Sequence, residues 1–384
     1  MEYQPPAIPN HGDHNTIFEL AHQVPLCGSA DAHALSILYD IDSGTARCHV
    51  SSVLGAKYGL AVTNEQQVVS VTDRVLGHQV WYNRERSRKP QTFTQAEAQQ
   101  DPTEGGQNCD FCQWQSLTAE DTFGRIERAH AVTASNLFKY CQPCHGLVLF
   151  KHHDPLSFHQ QQLSDLLSCS QGWFQAAHRA HPEAVHPFFI WNCGARAGAS
   201  QFHGHAQVTL SQVPFPACER LSTAAAAYAS SQPGRTYYQD LIAAHRTAGL
   251  LTEAPGSSAC ALASLAPTKD MEVVVIGKSL ESADFQHLLY VALRALIDKL
   301  GAATFNVGIF NIRVPGSDSA APAASSQTST DEVPVLARIV SRGKVSSRAS
   351  DFGGLEVFGQ ASIGNTDPYG VYKALLASLS MYNQ

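Results

Sequence analysis

Two stretches of the chain repeat one order of apolar and polar segments. The first runs HGLVLFKHHDP, then LSFHQQQLSDLLSCSQGWFQAAHRA, then HPFFIWN. The second runs MEVVVIGKSLE, then SADFQHLLYVALRALIDKLG, then ATFNVGIFN. Each opens with an unbroken apolar run ending near a lysine, Lys151 or Lys278. Such runs predict buried strands. The middle segments place apolar residues three and four apart, as in Leu163, Leu166 and Leu167, or Phe285, Leu289, Leu293 and Leu296. That spacing predicts helices with one buried face. Ser282 stands where the second helix needs an N-cap. Each stretch closes on another apolar strand. The reading is an α+β chain with two related halves, 76–215 and 216–384, each an antiparallel sheet with packed helices. Residues 1–75 form an N-terminal extension of unknown role, in which LSILYDI and YGLAV read as strands. The stretch 96–108 reads as a polar loop, and 316–332, small and polar, reads as a disordered insertion.

Composition narrows the class. The hydrophobic fraction is 44% and the charged fraction 15%, enough for a large core in 384 residues. A net charge of −7 argues against broad binding to nucleic-acid backbone, while leaving room for a local nucleotide pocket. No apolar run has membrane-spanning length, and the start has no signal core. The expectation is a soluble, cytoplasmic protein without nucleic-acid or membrane partners. In that setting ten cysteines point to metal ligands or plain thiols rather than to disulfides.

Of eighteen histidines, only His245 and His287 lie beyond His205. Histidine chemistry therefore belongs to the first half. There ASQFHGHAQVTL puts His203, His205 and Gln207 at alternate positions, which a strand turns to one face. The row is either a polar strand face or a site. Asn192, Gly194, Gly198 and Ser200 stand just before it, and a glycine-rich turn offers N–H groups to phosphate. A neutral imidazole beside such a turn can attack phosphorus.

NCGARAGASQFHGHAQV resembles the active-site segment of the galactose-1-phosphate uridylyltransferases, in the histidine-triad superfamily. NRERSRKP resembles their N-terminal basic motif, NCDFC their Cys-x-x-Cys, and GLEVFGQASIGNTDP their C-terminal segment centred on a glutamate. GASQFHGHAQ also resembles the ADP-sugar and dinucleoside-polyphosphate phosphorylases. The resemblance implies histidine-triad-like halves, the first catalytic and the second diverged. It makes His205 the nucleophile and Gln207 a donor to the phosphoryl oxygens of the intermediate. It assigns phosphate binding to Asn192, Gly198, Ser200, Arg86 and Lys89, and sugar binding to Glu356. The glutamine expected a little beyond Glu356 is Ser362. For Arg86 and Lys89 the alternative is a solvated basic stretch, and for Glu356 a solvated strand-end charge.

Two Cys-x-x-Cys pairs remain, Cys109/Cys112 and Cys141/Cys144. The second, CQPCH, formally matches a haem attachment, but it runs into an apolar strand in a chain without export signals and reads as a local turn with two thiols. The first sits in a polar loop. The resemblance supplies two further ligands, so one structural zinc per chain is expected on Cys109, Cys112, His153 and His203. His152 is an alternative to His153, and Cys141 or Cys144 could also serve. In the second half, VPVLARIVSR puts Leu336 and Arg338 where the counterpart of the histidine row falls, so no second metal is expected.

The function expected is a nucleotidyltransferase with a nucleotidyl-histidine intermediate, most closely a UDP-glucose–hexose-1-phosphate uridylyltransferase. Its partners are a nucleotide sugar and a sugar phosphate or phosphate, and a homodimer is compatible with it. A phosphorylase and a silent nucleotide-binding protein are the rival readings.

Overall fold

The structure is a computed structural model that describes residues 14–23, 30–86, 101–316, 333–343 and 350–382. The chain begins with helices α1 (Ile17–Gln23) and α2 (Ala30–Leu38), strand β1 (Tyr39–His49), α3 (Ser52–Tyr58) and strands β2 (Thr63–Asp73) and β3 (Gln79–Asn83). The next elements are α4 (Trp114–Leu117), β4 (Ala131–Ser135), β5 (Pro143–Phe150), α5 (Gln160–Ala180), β6 (His186–Cys193), β7 (His205–Ser211), α6 (Pro216–Ser231) and α7 (Tyr237–Thr247). Last come β8 (Leu251–Thr252), β9 (Cys260–Ala263), β10 (Val273–Gly277), α8 (Ala283–Arg294), β11 (Phe305–Phe310), β12 (Val335–Ser341), α9 (Gly354–Gly359), β13 (Ala361–Gly364) and α10 (Pro368–Tyr382).

Among the described residues, nine strands form one antiparallel sheet in the order β4-β5-β7-β6-β11-β12-β10-β9-β8. The apolar runs of both stretches lie inside it, so the two stretches share one sheet, joined where β6 meets β11. About that seam the registers match. Leu149 pairs with His205 on one side, and Ile276 with Leu336 on the other. At the seam Trp191 faces Val307, and Phe189 faces Ile309.

Helices α5 and α8 cover one face of this sheet. Leu163, Leu166 and Leu167 of α5 and Phe285, Leu289 and Leu293 of α8 are buried, as is Leu296 in the turn that continues α8. The approach is close. A Cβ on Gly146 would lie 2.5 Å from the Trp173 ring, and one on Gly277 2.8 Å from Phe285. Helix α5 starts with a capping box, in which His159 accepts from the Gln162 amide and Gln162 from the His159 amide. Ser282 does sit at the N-cap of α8, but its side chain makes no capping bond.

The N-terminal segment builds a second sheet, β1-β2-β3-β13, in which the late strand β13 runs parallel to β3. Its hairpin β2–β3 spans the expected boundary at 75/76. LSILYDI is half helix and half strand, because α2 ends at Leu38 and β1 begins at Tyr39. YGLAV is not a strand. Gly59 takes the left-handed conformation (φ 67°) that caps α3, which turns the chain before β2. Residues 317–332, within the expected insertion, lie outside the described residues. No described helix is long and apolar enough to cross a membrane.

Candidate functional site

The site lies on the face of β5 and β7 turned away from α5. Strand pleating puts His145, Leu147 and Leu149 on that face of β5, with His205 and Gln207 on β7 across from them. Val132, Ala134, Leu147 and Leu149 form a small apolar cluster there, with Phe111 and Trp114 packed on it. His203 is not part of β7. It stands in a bend two residues before His205, which turns it toward the Cys109 loop. Gly204 permits the bend, since a Cβ there would lie 2.9 Å from Phe150 and 3.2 Å from the Pro155 backbone.

His205 is buried. Its Nδ1 lies 2.8 Å from the His203 carbonyl. A carbonyl only accepts, so Nδ1 carries the proton and Nε2 the lone pair. Burial lowers the imidazole pKa, against a smaller upward pull from the His203 carbonyl. The ring is therefore neutral and nucleophilic at neutral pH. Phe111 meets it edge-on at 5.2 Å.

Cys109, Cys112, His153 and His203 come together, each offering a ligand atom within 4.8 Å of the others. His203 Nδ1 lies 3.5 Å from Cys109 Sγ, 3.4 Å from Cys112 Sγ and 3.4 Å from His153 Nδ1, and Cys112 Sγ lies 3.3 Å from His153 Nδ1. Around a tetrahedral ion with bonds of about 2.0–2.3 Å, such edges come to about 3.3–3.8 Å. The opposite ring nitrogens are engaged. His203 Nε2 donates to the Phe150 carbonyl (2.7 Å), and His153 Nε2 to Asp101 Oδ2 (3.0 Å). Both rings thus hold Nδ1 ready for a metal. Asp101 is itself fixed by the amides of Thr103 and Gly105 and by the Thr103 hydroxyl. Slight burial acts to raise its pKa, but these bonds prevail and hold it at about 2. Gly106, at φ 93°, lies against Cys112 and His153 where no Cβ fits. His152 points elsewhere, accepting from Gln162. The thiols of Cys141 and Cys144 are free and lie outside the cluster.

The glycine-rich stretch is a tight turn with Gly194 and Gly198 at positive φ. The amides of Ala197, Gly198 and Ala199 bond back to Gly194 and Ala195 carbonyls, so those three donors point into the turn. Ser200 is exposed. Asn192 accepts from Asn306 of β11 (2.7 Å), which in turn accepts from Arg342 (2.8 Å). Arg342 forks onto Asp351, and Lys269 reaches the Asp351 carbonyl and Glu356 (3.6 Å). A polar chain therefore runs from the turn to the C-terminal segment. Glu356 also accepts from the Gly353 amide (2.8 Å), and Ser362 is buried against the Pro267 carbonyl. Arg86 is exposed just beyond β3, and no described contact brings it to His205. Lys89 lies outside the described residues.

Sequence reasoning missed Asp101, Thr103, Tyr140 and His145. Tyr140 Oη donates to Gln207 Oε1 (3.1 Å), and His145 Nε2 lies 3.0 Å from the same oxygen. The CQPCH string drew attention to its thiols and away from its histidine.

No protein-family model matches the chain, and no curated protein matches it. Solved structures do. An ADP-glucose phosphorylase from Arabidopsis thaliana with bound ADP-glucose is similar at TM-score 0.59 and 18% identity, over 80% of this chain and 97% of that one. A GalT-like protein from Arabidopsis thaliana gives 0.57 and 17%, over 80% and 98%. A uridylyltransferase gives 0.54 and 14%, over 81% and 98%. The chain has their fold. The mixed α+β architecture is thus that of solved GalT-like structures.

Proposed function

We propose that the protein is a nucleotidyltransferase working by double displacement through His205. The observation that carries this is the His205 ring itself, with Nδ1 bound to the His203 carbonyl and the Nε2 lone pair on the same face of β7 as Gln207. Nε2 attacks the α-phosphorus of a nucleotide sugar, and the bond from that phosphorus to the bridging oxygen breaks. Sugar 1-phosphate leaves, and the nucleotide stays on Nε2. The His203 carbonyl stabilises the charge that reaches the ring. A phosphate oxygen of the acceptor then attacks the same phosphorus, and the P–N bond breaks. Gln207 donates to the phosphoryl oxygens, and Asn192, Ser200, Arg86 and Lys89 hold the remaining phosphates, with Gly198 shaping the turn that carries Ser200.

We take the metal to be one zinc on Cys109, Cys112, His153 and His203. Bound there it supplies a cross-link that fixes His203, and through it the carbonyl on His205. Thiols kept reduced for this role suit the cytoplasm. The matched registers support two duplicated halves, 76–215 and 216–384.

UDP-glucose with hexose 1-phosphate remains the first donor–acceptor pair to test. A second reading, with inorganic phosphate as acceptor, is favoured by Glu356 and Ser362. Both are engaged inside the protein, Glu356 by Lys269 and the Gly353 amide and Ser362 by Pro267. The experiment incubates the protein with α-32P-labelled UDP-glucose or ADP-glucose and then offers galactose 1-phosphate or phosphate. Acid-labile label on wild type, absent from His205→Ala, is expected. Absence of label from wild type with both donors overturns the proposal. Discharge by phosphate alone selects the phosphorylase.

A further inference from the structure

We propose that His145 and Tyr140 are positioning residues that set the amide of Gln207, turning its NH2 group toward the nucleotide on His205. The inference rests on the His205 reading above and adds the device that makes Gln207 a donor. A glutamine amide is symmetric in shape and opposite in chemistry at its two ends. If Oε1 faced the transferred phosphoryl group, it would repel the oxygens it is meant to bind. Something must choose the end.

The choice begins at the backbone. The Tyr140 amide donates to His145 Nδ1 (3.3 Å). That proton cannot be moved, so Nδ1 of the neutral ring is an acceptor and the ring proton sits on Nε2. His145 is fully buried on β5, which favours the neutral ring. Its Nε2–H, 3.0 Å from Gln207 Oε1, then donates to it. Asn136 Nδ2 also lies 3.0 Å from Nε2, with Asn136 Oδ1 accepting from the Phe138 amide (2.9 Å). That side chain can rotate away, whereas the backbone N–H at Nδ1 cannot, so the backbone sets the tautomer. The Tyr140 hydroxyl donates to the same Oε1 from the other side (3.1 Å), with its ring 4.2 Å from that of His145. Two donors hold the oxygen, and the NH2 group is left for the site. Tyr140 is otherwise exposed, at 64%, so packing alone does not hold it there.

The test uses the full-length protein and α-32P-labelled UDP-glucose and ADP-glucose. His145→Leu and Tyr140→Phe each lower the rate of His205 labelling, His145→Leu by about tenfold, the worth of one well-placed hydrogen bond. Donor affinity stays within about twofold, because the bond matters only once the phosphoryl group is in place. His145→Gln, which keeps an N–H near the Nε2 position, recovers most of the rate. In a Gln207→Ala background His145→Leu has no further effect, because the two act through one bond. An equal loss in both backgrounds, or no loss at all, overturns the proposal. A second measurement is independent of turnover. In 15N spectra of histidine-labelled protein, His145 carries its proton on Nε2, and a proton on Nδ1 refutes the assignment. If the spectra agree but neither donor labels the wild type, the transfer reading fails and the positioning of Gln207 stands.

Discussion

The β5/β7 face and the β10/β12 face occupy equivalent registers of one sheet and hold opposite chemistry. Where the first has His145, His205 and Gln207, the second has Glu272, Leu336 and Arg338. His145 and Gln207 form a neutral hydrogen bond, and Glu272 and Arg338 an ion pair at 2.6 Å whose carboxylate is buried. Leu336 stands where the first face has the His205 imidazole. Tyr39, Asp73 and His78 of the N-terminal segment close over the second face, together with Tyr237 and His245 of α7. They leave a cavity of about 70 Å³. One face presents an imidazole and an amide, the other a leucine and an ion pair. The difference teaches where substrate chemistry ends and folding stability begins. The N-terminal segment packs over this second face.

The largest effect expected is at His205. His205→Ala lowers formation of the labelled adduct by about 10³-fold or more, since no other described group on the face carries a lone pair in that place. Leu336→His creates no second labelled site, because Tyr39, Asp73 and His78 crowd the small cavity over it. Mapping the label by peptide digestion checks both, and label on the second half would break the comparison.

Next is the metal. Elemental analysis should find about one zinc per chain, and Cys109→Ser or chelation should remove it. At free zinc about 1,000-fold above its dissociation constant, that removal lowers stability by about 4 kcal/mol. Calorimetry with and without chelator measures it. An unchanged melting temperature with no zinc found would exclude the site.

The ion pair comes third. Glu272→Gln leaves Arg338 charged and unpaired, and costs about 3 kcal/mol. Glu272 also accepts from Thr268, so part of that loss is local. The double variant Glu272→His with Arg338→Gln recreates the first-half pair and should restore more than half of the loss. Urea unfolding measures both. Equal destabilisation by single and double variants would show that the two faces tolerate different chemistry for reasons other than charge.

How much of this was legible in the sequence depended on the range of the signal. Unbroken apolar runs marked β5 and β10, and three–four spacing marked α5 and α8, because both patterns are local and strong. Cys109 and Cys112 were legible as a Cys-x-x-Cys pair in a polar loop, and His153 and His203 only through the resemblance. His153 over His152 was settled by direction, as His152 turns to Gln162 of α5. The N-terminal sheet was illegible. Much of β1 is exposed, which weakens its alternation, and β3 pairs with β13, far along the chain. His203 was misplaced into the strand because alternation in text does not reveal the bend that Gly204 permits. Asp101 and Thr103 looked like any polar loop, since their partners lie elsewhere in the sequence.

The smallest effect is a pH slope, and it too separates the faces. Two histidines line the second-half cavity, His78 and His245. Burial lowers each to about 4. For His78 the neighbouring Arg338 adds to the lowering and Glu272 opposes it, and for His245 a bond to the Leu241 carbonyl opposes it. Both rings are therefore neutral in the folded protein near pH 7. The unfolded values lie near 6.5, so above that pH neither state binds a proton and the full stability is present. Between about 6.5 and 4 unfolding takes up protons, and stability falls as pH falls, by up to about 1.4 kcal/mol per pH unit for each ring. Asp73, raised by burial against the pull of two backbone bonds, works with the opposite sign just above its unfolded value of 3.8. Its contribution cancels when variants are compared at one pH. His78 Nδ1 is buried without a hydrogen-bond partner, whereas His245 is bonded through both ring nitrogens. His78→Leu is therefore the cleaner substitution. Urea unfolding at pH 7, 6 and 5 should give a shallower loss for His78→Leu than for wild type, by up to about one proton. Identical slopes would mean that the cavity admits enough water to ionise His78 in the folded state, and the second face would then be less closed than its register partner suggests.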